Sequence, residues 1–113
     1  MLSKALVEKL NEQINLEFYS SNLYLQMSAW CECQGLQGCA TFLSDHAAEE
    51  MRHMQRLWQY VNEKGTMSVV GAIEAPPTEF DSLASVFQDA FEHECTITRK
   101  INELAQMAFS EPD

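Results

Sequence analysis

Residues 36–64, LQGCATFLSDHAAEEMRHMQRLWQYVNEK, decide the fold. Leu36, Cys39, Leu43, Ala47, Met54, Leu57 and Val61 recur at helical spacing, and at about 100° per residue they form one apolar stripe. No proline interrupts the run, and Gly65 follows it as a stop. In the middle of the stripe stands Glu50, an acid where a core residue belongs, with His53 one turn further on.

The same anomaly recurs on both sides of this helix. Residues 3–33 form a second amphipathic run, capped by Ser3 and stopped at Gln34-Gly35, and its stripe of Leu6, Leu10, Ile14, Tyr24 and Cys31 centres on Glu17. Residues 82–109 form a third, with Asp81 or Ser82 as cap, in which Leu83, Phe87, Ala90, Ile97, Ile101 and Ala105 surround Glu94. So short a connection at Gly35 makes the first two helices an antiparallel hairpin. Residues 65–81, with Gly71 and the Pro76-Pro77 pair, have no helical period and read as a crossover. About fifteen extended residues reach roughly 50 Å, which returns the chain to the opposite end and sets helix three parallel to helix two. The expected architecture is all-α, a single domain over residues 1–113, because a chain of this length cannot build two cores.

Charge and composition narrow the function. With 17 acidic against 7 basic residues the formal charge is -10, which repels phosphate backbones and draws cations, so no nucleic-acid partner is expected. No apolar run approaches the roughly 18 residues needed to span a bilayer, so no membrane segment is expected. The opening MLSKALVEKLNEQ is amphipathic and unlike a signal peptide, and with it Cys31, Cys33, Cys39 and Cys95 read as reduced thiols in the cytoplasm. Their spacing does not match the paired C-x-x-C arrangement of zinc sites.

Three inward carboxylates need one explanation. A buried, ionised carboxylate without a partner costs several kcal/mol or more, so a compensating positive charge is required. None of Lys4, Lys9, Arg52, Arg56, Lys64, Arg99 and Lys100 lies at the centre of a stripe, which leaves a bound cation. The hairpin supports this independently. Glu17 lies 18 positions before Gly35, His53 18 after and Glu50 15 after, so all three meet near mid-height, and Glu94 falls near the middle of helix three. Carboxylates with one imidazole make a hard site that suits Fe(II) or Mn(II) and can bridge two ions.

Neighbouring residues admit two readings each. His46 faces inward and reads as a hydrogen-bonded core histidine rather than a ligand. His93 and Glu49 sit at stripe edges, and Glu49 is either a further ligand or a solvated surface acid. Tyr24, two turns from Glu17, either packs in the core or supplies a hydrogen bond or an electron to the site. The scattered methionines read as core filling. A second apolar line on helix one, Leu16, Tyr19, Leu23 and Trp30, implies cover from another chain and hence assembly.

Three stretches, LNEQINLEFYSSNLYLQMSAWC, FLSDHAAEEMRHMQRL and the His93-Glu94 pair, together resemble the bacterial non-haem ferritins over essentially the whole chain. That resemblance implies a ferritin-like four-helix bundle with a long crossover, assembled as a homo-oligomeric shell of 24 subunits. It implies a ferroxidase that oxidises Fe(II) with oxygen or peroxide at a di-iron centre and stores ferric mineral. Carried over to this chain, Glu17, Glu50 and His53 hold the first iron, Glu50 bridges, Glu94 holds the second, Tyr24 neighbours the centre and Glu49 contributes to a third iron site. Met51 resembles the haem-ligand position of the bacterioferritins, but helix one is similar to the non-haem branch, so no haem is expected. Family members continue past Asp113 with a fourth long helix that is absent from this sequence, which is therefore expected to be a truncated subunit. Two alternatives follow: a helical assembly module with weak or no ferroxidase activity, and a di-iron oxidase acting on an organic substrate.

Overall fold

A computed structural model describes residues 2–111. It contains three helices, α1 (Lys4–Cys33), α2 (Gln37–Glu63) and α3 (Leu83–Ser110), arranged as a rod about 51 Å long and 21 Å across. Two of the helix starts have hydroxyl caps. The Ser3 hydroxyl accepts the Leu6 N–H at 3.1 Å, and Ser82 rather than Asp81 accepts the Ser85 N–H at 3.1 Å, each supplying one of the acceptors that a first turn lacks. The α1–α2 turn closes at Gly35, whose φ of +76° lies in the left-handed region, and the Leu36 N–H returns to the Cys31 carbonyl at 2.9 Å.

α1 and α2 pack tightly because small residues line their contact. Ser21 and Ser28 of α1 donate to the carbonyls of Ala47 and Ala40 on α2, at 2.8 and 2.6 Å, which satisfies buried hydroxyls. The apolar core is divided into two clusters. One holds Leu23, Tyr24, Met27 and Cys31 with Ala40, Leu43, Ala47 and Val86; the other holds Leu6, Leu10 and Ile14 with Met54 and Val61. Between these clusters lie the buried polar residues Glu17, Ser20 and Glu50, so the division of the core is itself the site.

α3 leans on α1. Leu83, Phe87 and Ala90 at its start pack on the first cluster, Leu104 and Met107 near its end pack on the second, and the Ser3 hydroxyl donates to the Glu111 carboxylate. α3 therefore runs antiparallel to α1 and parallel to α2. Both α2 and α3 rest on α1 rather than on each other, and side chains such as Phe42 and Phe87, with ring centroids 6.0 Å apart, span the space between them. The crossover follows α1 along its length. Asn15 donates to the Val69 carbonyl at 3.0 Å and accepts the Gly71 N–H at 2.7 Å, Asn11 accepts the Val69 N–H at 3.0 Å, and further on Phe80 meets Trp30 edge-on.

Two details differ from the sequence expectation. The buried line of α3 runs through Val86 and Ile97, with Ala90, His93 and Leu104 half-buried, whereas Ile101 and Ala105 are exposed. The expected stripe merged two faces, one against α1 and one over the space beside α2, and periodicity alone cannot separate neighbouring faces about 100° apart. The second apolar line of α1 is covered within the chain: Tyr19 lies edge-on to His93, Leu23 packs in the cluster with Val86, and Trp30 meets Phe80. For Tyr19, Leu23 and Trp30 the cover thus comes from within the chain, while Leu16 stays half-exposed.

Candidate functional site

α1 presents Glu17 and α2 presents Glu50 at the same level, because the hairpin closes at Gly35 and both helices are regular. Glu17 is fully buried and Glu50 is 3% exposed. Gln13, one turn before Glu17, donates to Glu17 Oε1 at 3.1 Å, but Glu17 Oε2 and Glu50 Oε2 are closed off from solvent without a hydrogen-bond donor. Two orphaned carboxylate oxygens facing a shared space are costly unless a proton or a cation lies between them.

The structure draws the acids and imidazoles into two groups that share Glu50. Glu17, Glu50 and His53 offer ligand atoms within 4.8 Å of one another, with His53 Nδ1 3.8 Å from Glu50 Oε2. His46, Glu50 and Glu94 form the second group, in which His46 Nε2 lies 2.9 Å from Glu94 Oε1 and 3.9 Å from Glu50 Oε1. Neither group includes a cysteine, and the cysteines are free thiols. Glu49 is outside both groups, an exposed acid 3.8 Å from His53 Nε2.

Electrostatics mark the same place. Burial, reinforced by the neighbouring Glu17 and then by Glu94, pushes the Glu50 carboxyl up to about 9. Burial alone would raise Glu94, but the Tyr24 hydroxyl and the His46 ring outweigh it and hold Glu94 below the usual carboxylate range. Tyr24 is fully buried and donates to Glu94 Oε1 at 2.6 Å; burial and that carboxylate raise its phenol well above the ordinary value. A buried pair of carboxylate oxygens without a donor, and carboxylates brought together from three helices, suit a divalent cation.

A family model described as the Ferritin-like domain matches residues 7–113. This chain belongs to the ferritin family. Among relatives of this ferritin-family chain, a probable bacterial non-heme ferritin-like protein of Haemophilus influenzae is 59% identical over all 113 residues, which span 68% of the relative's length. A bacterial non-heme ferritin of Escherichia coli is 50% identical over the same extent, again 68% of its length. Solved structures agree. The Chlorobium tepidum ferritin superposes with a TM-score of 0.94 at 43% identity, covering 96% of this chain and 67% of that one. An open-pore ferritin of the archaeon Archaeoglobus fulgidus gives 0.93 at 38% identity, with the same coverage. Among the described residues no helix is long and apolar enough to cross a membrane.

Of the residues singled out in this ferritin-family sequence, Glu17, Glu50, His53 and Glu94 gather around mid-height with Tyr24 bonded to Glu94. His46 differs from the expectation: its side chain is 31% exposed, and it bonds an acid of the site rather than filling the core. Helical spacing could not reveal this, since the contact crosses from α2 to α3. Gln13 was legible in principle, four residues before Glu17. His93 was visible only as a residue at a stripe edge; that its ring lies edge-on to both Tyr19 and Tyr24 and bonds Ser20 Oγ at 2.6 Å was not. Burial lowers the pKa of His93 although the Glu94 and Glu17 carboxylates pull the other way.

Proposed function

We propose that this chain binds Fe(II) as its substrate at a two-position carboxylate centre, oxidises it with oxygen or peroxide, and contributes to storing the ferric product within a homo-oligomeric shell of 24 subunits. Glu17, Glu50 and His53 hold the first ion, Glu50 bridges, and Glu94 holds the second. One observation carries the reading: Glu17 Oε2 and Glu50 Oε2 are buried without a donor, between two core clusters that would otherwise be continuous. A structural role does not account for that, because apolar residues of similar volume would cost less.

The roles follow from the chemistry of each side chain. Hard carboxylate oxygens favour the ferric product over Fe(II), which eases loss of an electron from each ion to the oxidant. Binding displaces the Glu50 proton to solvent, so uptake releases acid. Tyr24 fixes the position of Glu94 through its hydroxyl and can give up an electron to the same oxygen or peroxide, its proton passing to Glu94 Oε1. Glu49, exposed beside His53, contributes to a third, outer iron position. Iron here is non-haem; Met51 is half-buried and packs against the second cluster, as Phe18 and Leu57 do. The free thiols suit a reducing, cytoplasmic setting.

The test is anaerobic Fe(II) titration of the purified chain, followed by air, with the near-ultraviolet absorbance of ferric-oxo species and the oligomer mass measured together. About two ions per chain with oxidation much faster than in buffer supports the reading. Weak binding and oxidation at the buffer rate would instead favour a helical assembly module of ferritin ancestry.

A further inference from the structure

Among the described residues, the second position of the proposed centre has Glu50 and Glu94 as its carboxylates, and a third group stands beside them. His46 projects from α2 across the space to α3, where its Nε2 lies 2.9 Å from Glu94 Oε1 and 3.9 Å from Glu50 Oε1. Its ring is held on two sides, parallel to Phe42 at 6.1 Å and edge-on to Tyr24 at 4.9 Å, so its direction is set by packing. With metal–ligand bonds of about 2.1 Å, adjacent ligand atoms in an octahedral or tetrahedral site are roughly 3 to 3.4 Å apart and opposite ones about 4.2 Å. Both His46 separations lie in or near that span.

We propose that His46 is a direct ligand of the second metal position, through Nε2, together with Glu50 and Glu94. The proposal rests on the two-position centre described above. Beyond the acid cluster itself, it stands on Glu50, a buried side chain that both groups share: its Oε1 faces His46 at 3.9 Å, while the donorless Oε2 faces His53 at 3.8 Å. A cleft of about 190 Å³, lined by Phe42, Phe87 and Phe91 with His46, Tyr24 and Glu94, opens on this side. In the metal-free chain the ionised Glu94 can only accept, so His46 donates from Nε2 and serves as a placeholder for the cation. On binding, Nε2 gives up its hydrogen to coordinate the ion, and Nδ1 carries the ring's hydrogen. The two positions then have matched donor sets, each with one imidazole and with Glu50 in common.

The test uses the full chain, stripped with chelator and kept anaerobic, with Co(II) as the counted ion and Zn(II) as the probe for imidazole ¹⁵N resonances. His46→Gln is the informative variant, because its amide can keep the hydrogen bond to Glu94 while the imidazole is lost; His46→Ala, checked by circular dichroism, is the second. The expected result is two Co(II) per parent chain and one in either variant, with the His46 Nε2 resonance of the parent shifted by the second equivalent of Zn(II). Two ions held equally well by His46→Gln would overturn the proposal and leave His46 as a positioning residue. One ion in the parent, with His46 resonances unmoved, would overturn it while sparing the first position. Failure of the parent to hold any ion would sink the centre as a whole.

Discussion

Glu50 is where the sequence and the physics meet most directly. Its place in an apolar stripe is visible from residue spacing, and the structure adds that burial and Glu17 hold it protonated. Unfolded, this carboxyl titrates near its ordinary value of 4.5; folded, it does so at about 9. A raised folded value means the native state binds the extra proton, so its stabilising contribution is present in full below about 4.5 and is lost as pH rises through 9. Urea midpoints of the chelator-treated chain should therefore fall between pH 6 and pH 9, and Glu50→Gln should flatten that fall. A midpoint that rose over this window would contradict the assignment. The same residue anchors the proposed ligand set, so Glu50→Ala should abolish tight Co(II) binding while circular dichroism shows helix content largely unchanged. Cys33, exposed and remote from both groups, gives the contrast: Cys33→Ser should leave binding as it was, and a marked loss would revive a thiolate site. His46 shows the limit of residue-level reading, because an inward histidine on one helix gives no sign of an acid on another.

At the scale of elements, the three helices were legible because each combines a long apolar period with recognisable ends: Ser3 and Ser82 as caps, Gly35 and Gly65 as stops. The hairpin and the parallel third helix followed from connection lengths alone. The exact face of α3 did not, since Val86 and Ile101 both belong to plausible stripes and only packing on α1 chooses between them. Nor did the path of the crossover, which depends on Asn11 and Asn15, residues that on an exposed helix face read as solvated. Those two amides pair with backbone at Val69 and Gly71 much as a neighbouring strand would. Asn15→Ala removes both partners of an otherwise exposed segment, which should cost about 1 to 2 kcal/mol in total if each hydrogen bond is worth roughly 0.5 to 1 net. The effect should be local. Hydrogen exchange should quicken at Gly71 and its neighbours with little change in the α1–α2 contact at Ser21 and Ala47, and uniform acceleration throughout would show that the crossover is coupled to the whole fold.

For the molecule as a whole, the decisive feature is that α2 and α3 are each seated on α1 but span the space between them mainly through side chains, with Phe91 66% exposed on that side. In the metal-free state the contacts there include the aromatic pair and one imidazole–carboxylate hydrogen bond, while a net charge of -10 pushes acidic surfaces apart. A cation held by Glu17, Glu50, His53 and Glu94 would tie all three helices together at one level and remove the repulsion among their carboxylates. Because it binds the assembled site and not the unfolded chain, it stabilises by mass action: about 2.7 kcal/mol when the free ion is at 100 times its dissociation constant. For a domain of this size that corresponds to a rise in Tm on the order of 10 °C, given roughly 4 °C or more per kcal/mol. Thermal melts with Co(II) or anaerobic Fe(II) should show this rise, and chelator should reverse it. Glu17→Gln should shrink the shift sharply while raising the metal-free Tm, since one of the crowded acids is gone. Equal shifts in the parent and in Glu17→Gln would mean that the ion binds elsewhere on the acidic surface and that the two buried acids and Glu94 need another explanation.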